Sequence, residues 1–307
     1  MDFIIGQEKA VTTLKDHLES GLKNHAYLFL GPSGVGKYTT AVRFAHHVLC
    51  ENNNACGECR HCKLLENKNH PDFIIIQPTG DIIKSIKIDQ VRDIINLAQT
   101  APYEGKYRVF IIDNAQLMNP QAANCLLKTL EEPYPGNILI LTSPVMLMPT
   151  VMSRLQTIRF QKLTLSEVEE GLTVQGHDTK YASLADGSIG KAIEMANGST
   201  TEINDIIEIK DTWGALKKAE ELAKDKAVAL KKLIALQYWL RDILYFRETG
   251  EILIYPDYEI EIKDATANMD SGAVIKKLRK VFSAIKGLEG NGNTKLILED
   301  VFLTLTY

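Results

Sequence analysis

The sequence predicts an α/β protein: a parallel sheet covered on both faces by helices, followed by regions that are helical throughout. Three observations carry this. Continuously apolar strands such as Val109-Phe110-Ile111-Ile112 alternate with amphipathic helical stretches over residues 1–160, the order that builds a parallel sheet buried on both sides. A glycine-rich turn, Gly31-Pro32-Ser33-Gly34-Val35-Gly36-Lys37, follows the first of these strands. Strand patterns nearly vanish after residue 202.

In order along the chain, Val11, Leu14, Leu18 and Leu22 recur at helical spacing. Ala26 to Leu30 reads as a strand and Lys37 to Leu49 as the helix after the glycine-rich turn. A cysteine-bearing segment leads to a strand at Asp72 to Ile76. A helix follows at Asp89 to Ala101, with Val91, Ile94, Ile95 and Ala98 on one face. Arg108 to Ile112 is a strand, Gln121 to Leu130 a helix and Ile138 to Leu141 a strand. Ligands of such sheets bind beyond the carboxyl ends of the strands, so the loops after Leu30, Ile112 and Leu141 should carry the chemistry. Beyond Phe160, a capped helix start at Leu165 to Glu170 and two short stretches, Lys180 to Ala185 and Ile189 to Ala196, make a small helical subdomain. Helices at Ala227 to Phe246, Gly272 to Leu288 and Thr294 to Leu305 close the chain. The expected domains are therefore 1–160, 161–201 and 202–307.

Composition limits the function. The 307 residues carry 45% hydrophobic and 24% charged residues, ordinary for folded proteins. With 35 Lys and Arg against 39 Asp and Glu the formal charge is -4, so no polybasic arm is available for autonomous nucleic-acid binding. The run Lys276-Lys277-Leu278-Arg279-Lys280 reads as a solvated helix face, with DNA contact as the alternative. No apolar run is long enough to span a membrane, and the opening Met1-Asp2-Phe3-Ile4-Ile5-Gly6 lacks the form of a signal peptide. A cytoplasmic protein is expected, with reduced thiols.

Gly31 to Lys37 matches the first seven positions of the phosphate-binding loop. Glycines let backbone N–H groups converge on phosphate oxygens, a helix N-terminus adds its dipole, and a lysine meets the outer phosphates. The alternative is a plain strand-to-helix turn. The eighth position should carry a Ser or Thr hydroxyl for Mg²⁺ but holds Tyr38, and Thr39 points about 100° further round the helix. Asp113 ends an apolar strand where Mg²⁺ is often held; capping of the strand end is the other reading. Asn114 follows where a general base is needed and cannot accept a proton. The loop thus keeps what phosphate binding requires and lacks what hydrolysis requires.

Four cysteines, Cys50, Cys56, Cys59 and Cys62, have the spacing C-x5-C-x2-C-x2-C. Four thiolates so close in sequence can close a tetrahedral Zn²⁺ site, structural because it leaves no open position. His61 and His70 read as solvated, with substitute ligation as the alternative, and Cys125 reads as a buried small hydrophobe. Lys128, Glu131 and Glu132 read as the wet face of their helix. No Ser/His/Asp signature or His-x-x-x-His pair supports hydrolase chemistry of another kind.

His25-Ala26-Tyr27-Leu28-Phe29, the phosphate loop, the four cysteines, Asn124-Cys125-Leu126-Leu127-Lys128-Thr129-Leu130-Glu131-Glu132-Pro133 and Ser153-Arg154-Leu155-Gln156 together resemble the AAA+ subunits of the bacterial DNA polymerase III clamp loader. The likeness covers residues 1–200 and continues loosely to Asn291-Gly292-Asn293-Thr294-Lys295-Leu296, which is similar to the last collar helix. It implies a RecA-like AAA+ domain with a zinc module at 50–62, a helical lid and a helical collar. ATP or ADP, if bound, would meet Gly31, Gly34, Gly36, Lys37, Thr39 and Asp113. The family has two zinc-bearing members. Its ATPase, gamma/tau, should have Thr at Tyr38, Glu at Asn114 and Arg at Gly190; their absence points to the non-hydrolysing member, with a gamma/tau-like ATPase as the alternative. The resemblance further implies that Ser153 and Arg154 form a finger acting in trans on a neighbour's nucleotide, although Leu155 replaces the family's usual Cys. A surface ion pair is the other reading of Arg154. The implied partners are gamma/tau and delta subunits in a hetero-oligomeric ring, and through it the sliding clamp and primed DNA during replication.

Overall fold

The computed structural model describes residues 4–22, 24–80, 84–196, 203–209, 211–252, 254–289 and 292–306. Met1-Asp2-Phe3, the expected boundary at 201/202 and Asn291 lie outside the described residues. The chain divides into two compact units, Met1–Ile193 and Glu194–Tyr307.

The first unit is built on a five-stranded parallel sheet in the order β2-β3-β4-β1-β5. Its strands are β1 (Ala26–Leu30), β2 (Phe73–Ile76), β3 (Arg108–Ile112), β4 (Asn137–Ser143) and β5 (Gln156–Arg159). The central strands are buried at every position and mostly apolar, because both their faces are covered; Arg108, Asn137, Thr142 and Ser143 are the buried polar residues at their ends. Leu28, Phe110, Leu139 and Leu141 pack on one side, under α4 (Ile88–Leu97) and α5 (Pro120–Glu131). Tyr27, Phe29, Val109, Ile111 and Ile140 pack on the other, against α1 (Glu8–Glu19) and α2 (Lys37–Leu49). The register pairs Phe29 with Thr142 and Ile112 with Leu141, which brings the carboxyl ends of β1, β3 and β4 to one rim.

Expected β1, α2 and β3 have the observed bounds, while β4 runs through Ser143 and α4 starts at Ile88 and ends at Leu97. Besides a 3₁₀ turn at Ala115–Leu117, three elements of this unit lack a sequence-based expectation: α3 (Arg60–Glu66), α6 (Pro149–Met152) and β5. β5 is an edge strand in which only Ile158 is buried, so it has no apolar run to betray it. Asp72 was expected to open β2 and instead precedes it, fully buried against Arg108.

The remainder of the first unit is a small helical cluster. α7 (Leu165–Val174) begins with a capping box, in which Thr164 Oγ1 accepts from the Glu167 N–H while Glu167 accepts from the Thr164 N–H. Thr179–Leu184 is 3₁₀ and not α-helical, and α8 (Ile189–Ala196) follows.

In the second unit the described regular elements are helices: α9 (Asn204–Ile207), α10 (Thr212–Leu222), α11 (Lys226–Thr249), α12 (Glu259–Asn268), α13 (Ser271–Glu289) and α14 (Thr294–Thr306), with one 3₁₀ turn at Pro256–Tyr258. α9, α10 and α12 add to the three expected helices. Leu233, Leu236 and Leu240 of α11 are buried within the unit, and Leu244 is half-buried. On α13 Lys276 and Arg279 are exposed, as the solvated reading expects, while Lys277 Nζ donates to the Leu305 carbonyl and Lys280 forms a surface pair with Asp300. No helix among the described residues is long and apolar enough to cross a membrane.

Candidate nucleotide site, cysteine cluster and finger

The turn between β1 and α2 wraps into a phosphate-loop shape because Gly34 (φ 72°) and Gly36 (φ 95°) adopt left-handed backbone conformations that other residues resist. It opens on a cavity of about 390 Å³ whose lining includes Gly34, Gly36, Lys37, Tyr38, Thr39, Asp113, Asn114 and Thr142. Gly31 stands beside it: its carbonyl and that of Pro32 accept from Lys37 Nζ at 2.6 and 2.5 Å. Lys37 thus serves its own loop. Burial pushes its ammonium down to about 8, against the opposing field of Asp113.

Asp113 is engaged as well. Thr142 Oγ1 donates to its Oδ1 at 2.6 Å, and Asn114 Nδ2 donates to its Oδ2 at 3.1 Å. Asn114 is left-handed (φ 55°), and its N–H donates to Thr142 Oγ1 at 2.9 Å. Tyr38 shares this corner; burial and the Asp113 charge both raise its phenol above its ordinary range. The position that should hold a metal-binding hydroxyl is therefore filled by a bulkier neutral group.

The helical cluster closes on the loop. Ser188 Oγ donates to the Ser33 carbonyl at 2.9 Å, and the Gly190 N–H donates to the Gly34 carbonyl at 3.0 Å. A Cβ on Gly190 would lie 2.8 Å from Gly34 Cα, so no side chain, least of all arginine, fits there without movement. Gln7, 4% exposed, ties the chain start to the same place: its Nε2 donates to the Gln161 carbonyl at 2.8 Å and its Oε1 accepts from the Gln161 N–H at 3.1 Å. Sequence reasoning passed over Thr142, Ser188 and Gln7, since each is an unremarked polar residue until the chain brings it to the rim.

The four cysteines gather as expected, with all four Sγ atoms within 4.8 Å of one another. Cys50–Cys56 is 3.6 Å, and Cys56–Cys62 and Cys59–Cys50 are each 4.0 Å. A tetrahedral ion with Zn–S bonds of ~2.3 Å requires sulfurs about 3.8 Å apart, so the set could hold such a metal ion. Backbone N–H groups of Cys56, Cys59 and Cys62 each donate to a preceding cysteine sulfur at 3.4 Å. Burial opposes the Cys50 thiolate, but the backbone N–H groups of Cys56, Asn52 and Asn54 draw Cys50 down to about 6, while burial and the neighbouring Cys59 and Cys50 push Cys62 up to about 12. The thiols cannot all ionise together without a cation between them.

The histidines correct the solvated reading. His70 is buried, accepts the Asp72 N–H at Nδ1, and shares a 2.8 Å hydrogen bond from its Nε2 to His61 Nδ1. Its occupied nitrogens leave the metal to the cysteines. Cys125 is only partly buried, packed on the edge of the core.

Ser153 and Arg154 follow α6 and do not line the nucleotide cavity. Arg154 Nε donates to Glu131 Oε1 at 2.8 Å, and a second, short contact joins its NH2 to the same oxygen. Its NH1 donates to the Thr150 carbonyl at 2.6 Å and to Ser153 Oγ at 3.0 Å. In the free chain Arg154 is thus part of an ion pair.

A parallel sheet in this order, with a glycine-rich loop after β1 and an acid after β3, defines an AAA+ type α/β module, here joined to helical regions. The chain belongs to the DNA polymerase III delta-subunit family, whose model matches residues 6–164, and within it to the delta-prime clamp-loader subunits. It is 29% identical over 324 residues to the delta-prime subunit of Bacillus subtilis, covering 97% of this chain and 96% of that one. It is 43% identical over 136 residues to the delta-prime subunit of Pseudomonas aeruginosa, covering 42% of this chain and 41% of that one. It is also 34% identical over 223 residues to the tau subunit of Bacillus subtilis, covering 68% of this chain and 39% of that relative.

Proposed function

We propose that this chain is the non-hydrolysing subunit of a hetero-oligomeric clamp-loader ring, which assembles with tau/gamma-type ATPase and delta subunits in the cytoplasm. It reaches the sliding clamp and primed DNA through that ring. The observation that carries this is the phosphate site: the loop is intact, yet Tyr38 stands for the metal-binding hydroxyl, Asn114 for the base, and Gly190 abuts Gly34 where an arginine would be needed. Residues Gly31, Gly34, Gly36, Lys37, Thr39 and Asp113 can offer ATP or ADP a seat without turnover. Zn²⁺ on Cys50, Cys56, Cys59 and Cys62 would be structural. Residues 1–160 are the AAA+ domain, 161–201 the lid and 202–307 the collar that assembles the ring.

Arg154, with Ser153 beside it, would then act in trans. A guanidinium brought to a neighbour's γ-phosphate stabilises the charge that spreads over its oxygens during transfer. DNA-stimulated ATP hydrolysis, measured in complexes reconstituted with and without this chain, tests the reading. Arg154→Ala should leave assembly intact and slow the one site it serves by ~10³-fold or more. Arg154→Lys should not rescue fully, because an ammonium lacks the planar fork. Wild-type hydrolysis and clamp loading by the Arg154→Ala complex would leave the residue a surface ion-pair partner. The rival, a gamma/tau-like ATPase, requires steady hydrolysis by the isolated chain that Lys37→Ala abolishes.

A further inference from the structure

Four of the five N–H groups of the Arg154 guanidinium are taken by its own chain. A bidentate grip on phosphate uses either the Nε–NH2 edge or the NH1–NH2 edge of the fork. Glu131 Oε1 takes N–H groups from Nε and NH2, closing the first edge. The Thr150 carbonyl and Ser153 Oγ take those of NH1, closing the second. Arg154 in this geometry has no edge with which to bind a phosphate.

The holder is well placed. Glu131 is the last residue of α5, and Thr150 belongs to α6, so the guanidinium bridges two helix ends. The pair is nevertheless half open to solvent, with side-chain exposures of 32% for Arg154 and 50% for Glu131. Screening keeps such a pair weak. A triphosphate, with more charge and three oxygens on its terminal phosphorus, would displace one carboxylate oxygen, whereas water would not align the fork at all.

We propose that Glu131 is a positioning residue that parks Arg154 in the free subunit and yields it only to a phosphate group presented by a neighbouring chain. This deepens the in-trans reading above and rests on it. Parking would keep a finger from engaging stray anions and would set a small barrier on hydrolysis in the complex before DNA is bound.

The test has two arms. In the isolated chain, the Arg154 Nε–H followed by ¹⁵N NMR should exchange slowly with water. Glu131→Gln, which keeps the shape and removes the charge, should make that exchange faster while the fold is unchanged. In the reconstituted complex, Glu131→Gln should raise kcat for DNA-independent hydrolysis roughly 1.5- to 5-fold and leave KM for ATP unmoved. In an Arg154→Ala background the same substitution should do nothing. Unchanged Nε–H exchange in Glu131→Gln would overturn the parking, and a fall in kcat would make Glu131 an aligner of the active finger instead. If Arg154→Ala alone leaves hydrolysis untouched, the in-trans reading fails, while the exchange arm still judges Glu131 separately.

Discussion

At the scale of single residues, the largest fully buried side chain among the described residues is charged. Arg108, 0% exposed, donates from Nε to Asp72 Oδ1 at 2.9 Å and from its terminal nitrogens to the Leu97, Thr100 and Ala101 carbonyls. Burial opposes the Asp72 charge, but the N–H groups of Glu104 and Tyr103 and the Arg108 guanidinium hold its carboxyl below the usual range. A depressed carboxyl contributes stability above its unfolded pKa of about 3.9 and loses it as pH falls through the folded value. Asp72→Ala should therefore cost ~3–5 kcal/mol in denaturant unfolding at pH 7, because it strands a buried cation. The deficit against wild type should shrink below pH 4. Lys37 runs the other way. Its ammonium, pushed down to about 8, binds fewer protons in the folded chain than in the unfolded chain between pH 8 and its ordinary value of 10.5. Its contribution to stability therefore rises with pH across that window. NMR titration of its Nζ should give a midpoint near 8, and Asp113→Asn should lower that midpoint further, since the Asp113 charge is what opposes burial.

At the scale of elements, the cysteine module shows how local chemistry replaces a hydrophobic core. Between α2 and β2 the chain has only one short helix, α3, whose N-cap is the Cys59 sulfur accepting the Cys62 N–H. Three sulfur pairs stand 3.6–4.0 Å apart and all four sulfurs lie within 4.8 Å of one another, near what a tetrahedral ion requires, so metal binding and local folding should be one event. Carefully prepared protein should contain one Zn²⁺ per chain by metal analysis. Its removal by chelator, or Cys59→Ser, should expose residues 50–70 to hydrogen exchange while the sheet amides stay protected. Zinc-free native protein would remove the idea.

At the scale of the whole molecule, each unit has its own core: the two-faced sheet in Met1–Ile193, and α11 with its helical neighbours in Glu194–Tyr307. α11 spends Leu233, Leu236 and Leu240 on that internal core, so a collar role proposed for this unit would have to use its other surface. Deleting 202–307 should abolish incorporation into the complex, read by gel filtration with the partner subunits, and should keep the sheet's circular dichroism. A truncated chain that still joins the ring with full affinity would refute a collar role. The intact protein alone should show no ATP turnover above that of its Lys37→Ala variant.

What the sequence by itself determined is what short-range patterns encode. Apolar runs placed β1 and β3, glycines and a lysine placed the phosphate loop, and close cysteine spacing assembled the thiol cluster, because each depends on neighbours within a few turns of chain. The substitutions Tyr38 and Asn114 were equally legible, since a motif is read position by position. Tertiary structure decided the rest. β5 is recognisable only by pairing with β1, and Asp72 found Arg108 across 36 positions of chain. Gly190 met Gly34, His70 turned to His61 instead of to metal or water, and Glu131 closed on Arg154. None of these partners is adjacent in sequence. Hydrogen bonds and ion pairs act over about 3 Å of space whatever the separation along the chain, and only packing of the sheet and helices brings such pairs within that range.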